Sequence, residues 1–165
     1  MDKTVKPLVT IYTSPKSGKT ARFEYLNADS FDEVDTEKVK QVYAVCILEN
    51  KMVVVKSEFT WTLPGGSREK GENIEQTLRR EVKEETNMEV LQWKPVGIQT
   101  VFEDGIEPYL QLRTACLVRP YGPFVSDPDG DVTEVKLVDP DNYREYLDWG
   151  EIGETIVRRA IDIFK

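Results

Sequence analysis

Nine short runs of apolar or alternating residues, set apart by turn-forming residues, confine this chain to a fold in which a sheet dominates. They fall at 8–12, 20–26, 42–48, 52–56, 59–63, 90–96, 98–102, 109–118 and 132–138. One strong helical stretch at 72–86 divides them, a second at 151–164 follows the last, and a shorter candidate lies at 141–147. The class predicted is mixed α/β or α+β. Glu49-Asn50-Lys51, Pro64-Gly65-Gly66 and the Pro-, Gly- and Asp-rich stretch 120–130 supply the breaks. With 165 residues, 39% of them hydrophobic, the chain suits one core. Residues 1–38 read as a hairpin turning at Ser14-Pro15-Lys16-Ser17-Gly18, followed by an acidic connection. Its open edge suits pairing with a second copy, so a homodimer is expected.

Charge and residue content narrow the chemistry. The balance of 22 basic against 30 acidic residues, a net of −8, repels nucleic acid and anionic membrane, so neither is expected as a partner. The chain has no histidine, which removes Ser-His-Asp triads, Cys-His pairs, histidine zinc sites and an imidazole base. Proton transfer then falls mainly to carboxylates, whose oxygens suit hard cations such as Mg2+ or Mn2+. Cys46 and Cys116 stand in apolar strand-like runs without CxxC spacing and are expected to be buried free thiols. No apolar run is long enough to span a bilayer and no secretory leader opens the chain, which predicts a cytoplasmic location.

Residues 64–88, PGGSREKGENIEQTLRREVKEETNM, carry the chemistry. Ile74, Leu78 and Val82 recur every four positions and make a narrow apolar stripe that packs on the sheet. At about 100° per residue, Glu81 and Glu85 project within about 40° of that stripe, at its edge, and Glu84 flanks them. Three carboxylates so close repel one another, in the half of a helix where the dipole also disfavours negative charge. As ordinary surface glutamates they are offset by the i,i+4 pair of Arg80 with Glu84 and by Lys83. A divalent cation among them cancels the repulsion. The Gly65-Gly66 pair lets the backbone approach and aim its amide or carbonyl groups into such a site.

Gly66, five residues, Glu72, seven residues, then Arg80-Glu81-Val82-Lys83-Glu84-Glu85 resembles the signature box of the Nudix hydrolases, spanning Gly66 to Met88. The box departs at Asn87, where its last glycine usually stands. Asn is the non-glycine residue that best tolerates the left-handed conformation ending a helix, so the same cap is expected. The resemblance implies a three-layer α/β/α sandwich around a mixed sheet, with 40–165 as the core of a single domain and 1–38 as an N-terminal hairpin extension. It implies a pyrophosphohydrolase acting on a diphosphate linkage in a nucleotide, with Mg2+ or Mn2+ held by Glu81, Glu84, Glu85 and the carbonyl of Gly65. Arg80 and Glu72 would brace the carboxylates. Glu81 or Glu84 would serve as general base, with the acidic loop Glu103, Asp104 and Glu107 as alternatives. Asp104 falls near the place where ADP-ribose hydrolases carry a proline, so that subfamily mark is missing. The rival readings are a nucleotide-sensing domain without catalysis and an isomerase on the same fold, which needs a reactive cysteine.

Weaker features stand beside these. Lys56, Arg68, Lys70 and Arg113 adjoin the segment by sequence and are candidates to touch substrate phosphate oxygens, each against a default as a surface charge. Tyr43, Phe59, Trp61, Phe102 and Tyr109 can stack on a base, against a default of core packing. Ser17-Gly18-Lys19-Thr20 lacks the glycine a phosphate-binding loop requires, because Thr13 stands there. Asp127, Asp129, Asp131 and Glu134 miss calcium-loop spacing and read as a solvated acidic turn, with Glu134 or a neighbour able to approach the metals.

Overall fold

The computed structural model describes residues 5–58, 60–128 and 130–165, so the predicted roles of Phe59 and Asp129 lie outside the described residues. The strands are β1 (Leu8–Thr13), β2 (Thr20–Asn27), β3 (Val39–Leu48), β4 (Lys51–Lys56), β5 (Trp61–Thr62), β6 (Gly65–Ser67), β7 (Met88–Glu103), β8 (Tyr109–Pro120) and β9 (Glu134–Val138). The helices are α1 (Ile74–Thr86) and α2 (Gly150–Ile163), and the 141–147 candidate is a 3-10 helix at Pro140–Glu145. All strands join one sheet in the order β1-β2-β7-β8-β3-β4-β5, with β6 added to β3 and β9 to β4. Among the described residues only the β3–β8 pair is parallel, which makes the sheet mixed.

Alternation along the central strands builds the layers. Val42, Ala44 and Cys46 of β3 and Val53 and Val55 of β4 point to one face, where Leu78 and Val82 of α1 complete a buried cluster. Val45 of β3 and Met52 and Val54 of β4 point to the other, against Ile152, Ile156, Val157 and Ala160 of α2. The result is the expected α/β/α sandwich. Cys46 and Cys116 face each other in register on β3 and β8, are free thiols and are fully buried. No accessible thiol nucleophile is therefore available from them for the isomerase reading.

Two expectations need correction. The runs 90–96 and 98–102 are one strand, because Pro95 and Gly97 shift its register against β8 without ending it. Pro64-Gly65-Gly66, read as a turn, feeds a short strand, β6, which pairs antiparallel with β3 through Tyr43–Gly65, Val42–Gly66 and Gln41–Ser67. Arg159 of α2 reaches back to the sheet, donating to the carbonyl of Val96 at 2.9 Å and pairing with Asp29. The predicted hairpin is present as β1 and β2, and β2 also pairs with β7. Among the described residues no helix is long and apolar enough to cross a membrane.

Candidate active site

Helix α1 is held at both ends by local chemistry. Asn73 caps its N-terminus, accepting from the amide of Gln76 at 2.8 Å, while the Gln76 side chain accepts from the amide of Asn73 at 2.9 Å. At the C-terminus Asn87 takes the left-handed conformation (φ 57°, ψ 41°) expected of it. Its side-chain amide also donates to the carbonyl of Pro123 at 3.1 Å, tying the helix end to the 121–133 loop.

Between these caps the stripe edge meets β6. Glu81 and Glu85 are each only 8% exposed. The amide of Gly65 donates to Glu85 Oε1 at 2.6 Å, which fixes that carboxylate against the glycine strand. A β-carbon on Gly66 would stand 2.7 Å from Glu81 Oε1, so the missing side chain is the space the Glu81 carboxylate occupies. Gly65 has φ +147°, and a β-carbon there would collide with the carbonyl of Val42 and the backbone of Tyr43.

Arg80 spends all its guanidinium nitrogens on this corner. Nε and Nη2 grip Glu72 bidentately at 2.7 and 2.9 Å, Nη1 donates to Glu81 at 3.0 Å and Glu84 at 3.2 Å, and Nη2 reaches the carbonyl of Ser67 at 2.8 Å. Glu72 is held in turn by the amide of Glu69 at 2.8 Å and the hydroxyl of Thr77 at 3.1 Å. Arg80, with those two bonds, lowers the Glu72 carboxyl to about 2 from its usual 4.5. A depressed carboxylate stabilises the fold above its unfolded pKa and loses that contribution as pH falls through the folded one. Glu72→Gln is therefore expected to lower stability by about 1 to 2 kcal/mol at neutral pH, the linkage value being reduced for solvent screening. Urea unfolding from pH 6 to pH 2 checks this: the gap between parent and variant closes below about pH 4.5.

Burial is the main cause that pushes the Glu85 carboxyl up to about 8, opposed by the Gly65 amide and reinforced by Glu81, Asp127 and Asp131. Acidic groups from two segments distant in sequence thus influence one desolvated corner. All the donors are oxygens, and a divalent cation is the partner that such a set suits. The carboxylates do not form a closed cage, and among the described residues no three acidic or cysteine side chains converge as one. Arg80 draws Glu81 and Glu84 to itself instead.

Asp127, expected on a solvated turn, is 8% exposed, and its carboxylate accepts from the amide of Val132 at 3.0 Å, turning the loop inward. A cleft of about 490 Å³ opens between α1 and this loop, lined by Arg80, Lys83, Glu84, Asn87, Pro123 and Val125 among others. Lys83, with its ammonium 5.5 Å from the Tyr121 ring, joins Arg80 as a cation of that cleft, and sequence spacing alone assigns it only to charge balance.

The basic candidates are scattered. Arg68 is a clamp, donating to the carbonyls of Val39 at 3.1 Å and Glu72 at 3.3 Å. Lys56 stands at the end of β4, exposed, 5.8 Å over the Trp61 ring and opposite Glu134 of β9. Lys70 is exposed in the loop before α1. Arg113 is no surface charge but is buried under Tyr43 and Trp149. Trp61 packs on the α2-side core as expected, whereas Tyr43, Phe102 and Tyr109 are half-buried, with Arg113, Arg22 and Lys40 over their rings. Glu103 of the alternative acidic loop is tied to the Tyr109 hydroxyl at 3.1 Å.

A mixed sheet between two helices, with a carboxylate-rich inner helix edge set against a glycine strand, defines an α+β fold with a site of acidic chemistry. The NUDIX domain family model matches residues 38–159. The chain belongs to that family. Among solved structures it resembles the Bacillus subtilis pyrophosphohydrolase BsRppH, with 17% identity and TM-score 0.68 over 94% of this chain and 97% of that one. It also resembles a MutT protein from Bacillus halodurans (19% identity, TM-score 0.55, covering 70% and 78%). An ADP-ribose pyrophosphatase from Streptococcus suis is similar at 16% identity and TM-score 0.54, covering 77% and 90%. No curated protein matches the chain by sequence.

Proposed function

We propose that this chain is a divalent-metal-dependent pyrophosphohydrolase that cleaves a diphosphate linkage in a nucleoside diphosphate derivative or related nucleotide. The observation that carries the reading is the buried pair Glu81 and Glu85, packed on Gly65-Gly66 and braced through Arg80. Family membership supports it. So do two structural neighbours, one described as a pyrophosphohydrolase and the other as an ADP-ribose pyrophosphatase. The whole chain is read as one Nudix-type domain with 1–38 as its extension, working in the cytoplasm. β1 leaves Val9, Ile11 and Tyr12 exposed, and a second copy pairing there makes the expected homodimer, with light scattering as the check.

Glu81, Glu84 and Glu85, with the carbonyl of Gly65, would hold Mg2+ or Mn2+. Such an ion, when bound, neutralises the diphosphate and makes water a better nucleophile. The residues of the chain do the rest. Arg80 fixes the orientation of Glu81 and Glu84 by donating to both. Glu84 lines the cleft beside α1 and takes the proton from the attacking water. Lys83 of the same cleft offers its ammonium to the charge that develops on the leaving phosphate.

Chromatographic product analysis tests the reading, with nucleoside triphosphates, sugar nucleotides, dinucleotides and dinucleoside polyphosphates offered in Mg2+ or in EDTA. Cleavage of one class in Mg2+ only is expected. Absence of turnover, together with tight nucleotide binding by calorimetry, makes the chain a sensing domain instead.

A further inference from the structure

A polar row crosses the sheet on its α2 side, away from the carboxylates. Gln99 of β7, Gln111 of β8 and Gln41 of β3 are successive cross-strand neighbours. Gln99 Nε2 donates to Gln111 Oε1 at 2.8 Å, and Gln111 Nε2 donates to Gln41 Oε1 at 2.5 Å. Arg113 Nη2 also donates to Gln111 Oε1, at 3.2 Å. An isolated glutamine can turn its amide either way, but arginine has no acceptor. Arg113 therefore obliges Gln111 to present its oxygen. That leaves the Gln111 nitrogen for Gln41, whose oxygen must meet it, so the Gln41 amide nitrogen faces away from the row as a donor.

Arg113 itself is unusual. It is 7% exposed, with its guanidinium 4.8 Å from the Tyr43 ring and 5.4 Å from the Trp149 ring. Among the described residues its Nε has no hydrogen-bond partner, and no carboxylate pairs with it. A buried cation without an anion is costly, and stability alone does not select it. Its effect is to give the row one direction, with the Gln99 oxygen at one end and the Gln41 amide nitrogen, a donor, at the other.

The row adjoins the candidate active site through β6. Gln41 pairs in register with Ser67, whose carbonyl takes Arg80, and Tyr43 pairs with Gly65, whose amide holds Glu85. The phosphates of a nucleotide belong at the carboxylate end, so the base is the part left for the row. Tyr43, Trp149 and Tyr109 supply aromatic surface around it. A 6-oxopurine shows a carbonyl oxygen and a ring nitrogen, both acceptors, along one edge, whereas a 6-aminopurine sets an amino donor against a donor.

We propose that Gln41, oriented through Gln111 by Arg113, is the base-selecting residue and that it favours 6-oxopurine over 6-aminopurine nucleotides. The proposal rests on the nucleotide-hydrolase reading above. The test compares kcat/KM for GTP, ITP and ATP, and calorimetric binding of their non-hydrolysable methylene analogues, in the parent, Gln41→Glu and Arg113→Met. The parent is expected to favour GTP and ITP over ATP by about tenfold or more. Gln41→Glu puts an acceptor of the same size where the donor was and removes or inverts that preference. Arg113→Met frees the row to flip and reduces it. Circular dichroism confirms that each variant is folded, and the near-isosteric Gln41→Glu decides the matter if Arg113→Met unfolds. Equal kcat/KM for both bases in the parent, or an unchanged ratio in Gln41→Glu, overturns base selection alone. Failure to cleave or bind GTP, ITP and ATP overturns this proposal, and only failure across every nucleotide class of the product analysis above overturns the hydrolase reading as well.

Discussion

Glu85→Gln is expected to lower Mg2+-dependent turnover on the order of 10³-fold while the protein stays folded. The amide keeps the shape of the carboxylate, and its oxygen still accepts from the amide of Gly65. What disappears is an acidic group whose ionisation burial and the nearby Glu81, Asp127 and Asp131 already make unfavourable. In a chelator the variant is therefore expected to melt no lower than the parent at neutral pH. Stability and activity move independently, which separates a carboxylate retained for chemistry from one retained for the fold. A thermal melt in EDTA beside steady-state kinetics in Mg2+ checks both halves. Near-normal kinetics would remove Glu85 from the site.

The two adjacent glycines are expected to fail in opposite ways when a single methyl group is added. In Gly66→Ala the new β-carbon meets the far end of the Glu81 side chain, which can swing aside, so the cost in stability is small. The displaced carboxylate then leaves its place beside Glu85 and Arg80, and a shift of this size costs about 10²-fold in turnover. In Gly65→Ala the collision is with backbone, at Val42 and Tyr43 on the central strand β3, and φ of +147° is strained for any L side chain. That variant is expected to lose about 3 kcal/mol or more and to express poorly. Urea unfolding with kinetics on the two purified variants checks the contrast. Equal stability loss in both would mean that β6 does not discriminate the glycines as its pairing with β3 requires.

The parts of this site that lie within one helix are legible in the amino-acid sequence. Ile74, Leu78 and Val82 fix which side of α1 is buried, and helical geometry then puts Glu81 and Glu85 at the margin of that side. Asn87 is readable as a cap because few residues tolerate the left-handed conformation. Strand existence is legible for a similarly local reason, in the short apolar runs of β3 and β4.

What stays hidden depends on pairing between distant segments. Nothing in Gly65-Gly66-Ser67 has a strand preference, so β6 exists only because β3 offers it an edge. Pro95 and Gly97 look like a break, yet β8 pairs with β7 before and after them and carries the strand through the irregularity. Asp127 sits in a run of acidic and turn residues that reads as solvated, and only the return of the loop over α1 buries it. Gln41, Gln99 and Gln111 are ordinary polar residues on three separate strands. Their meaning arises when the sheet brings them side by side and Arg113 orients them.

The central claim is that this acidic corner cleaves a phosphorus anhydride with water. Turnover of a nucleoside triphosphate in 18O-labelled water, followed by phosphorus NMR of the products, measures it directly, with Glu85→Gln and EDTA as controls. The account predicts label in one phosphate-bearing product, in Mg2+ only, and its loss in both controls. Nucleotide bound tightly but recovered intact and unlabelled after prolonged incubation would contradict it.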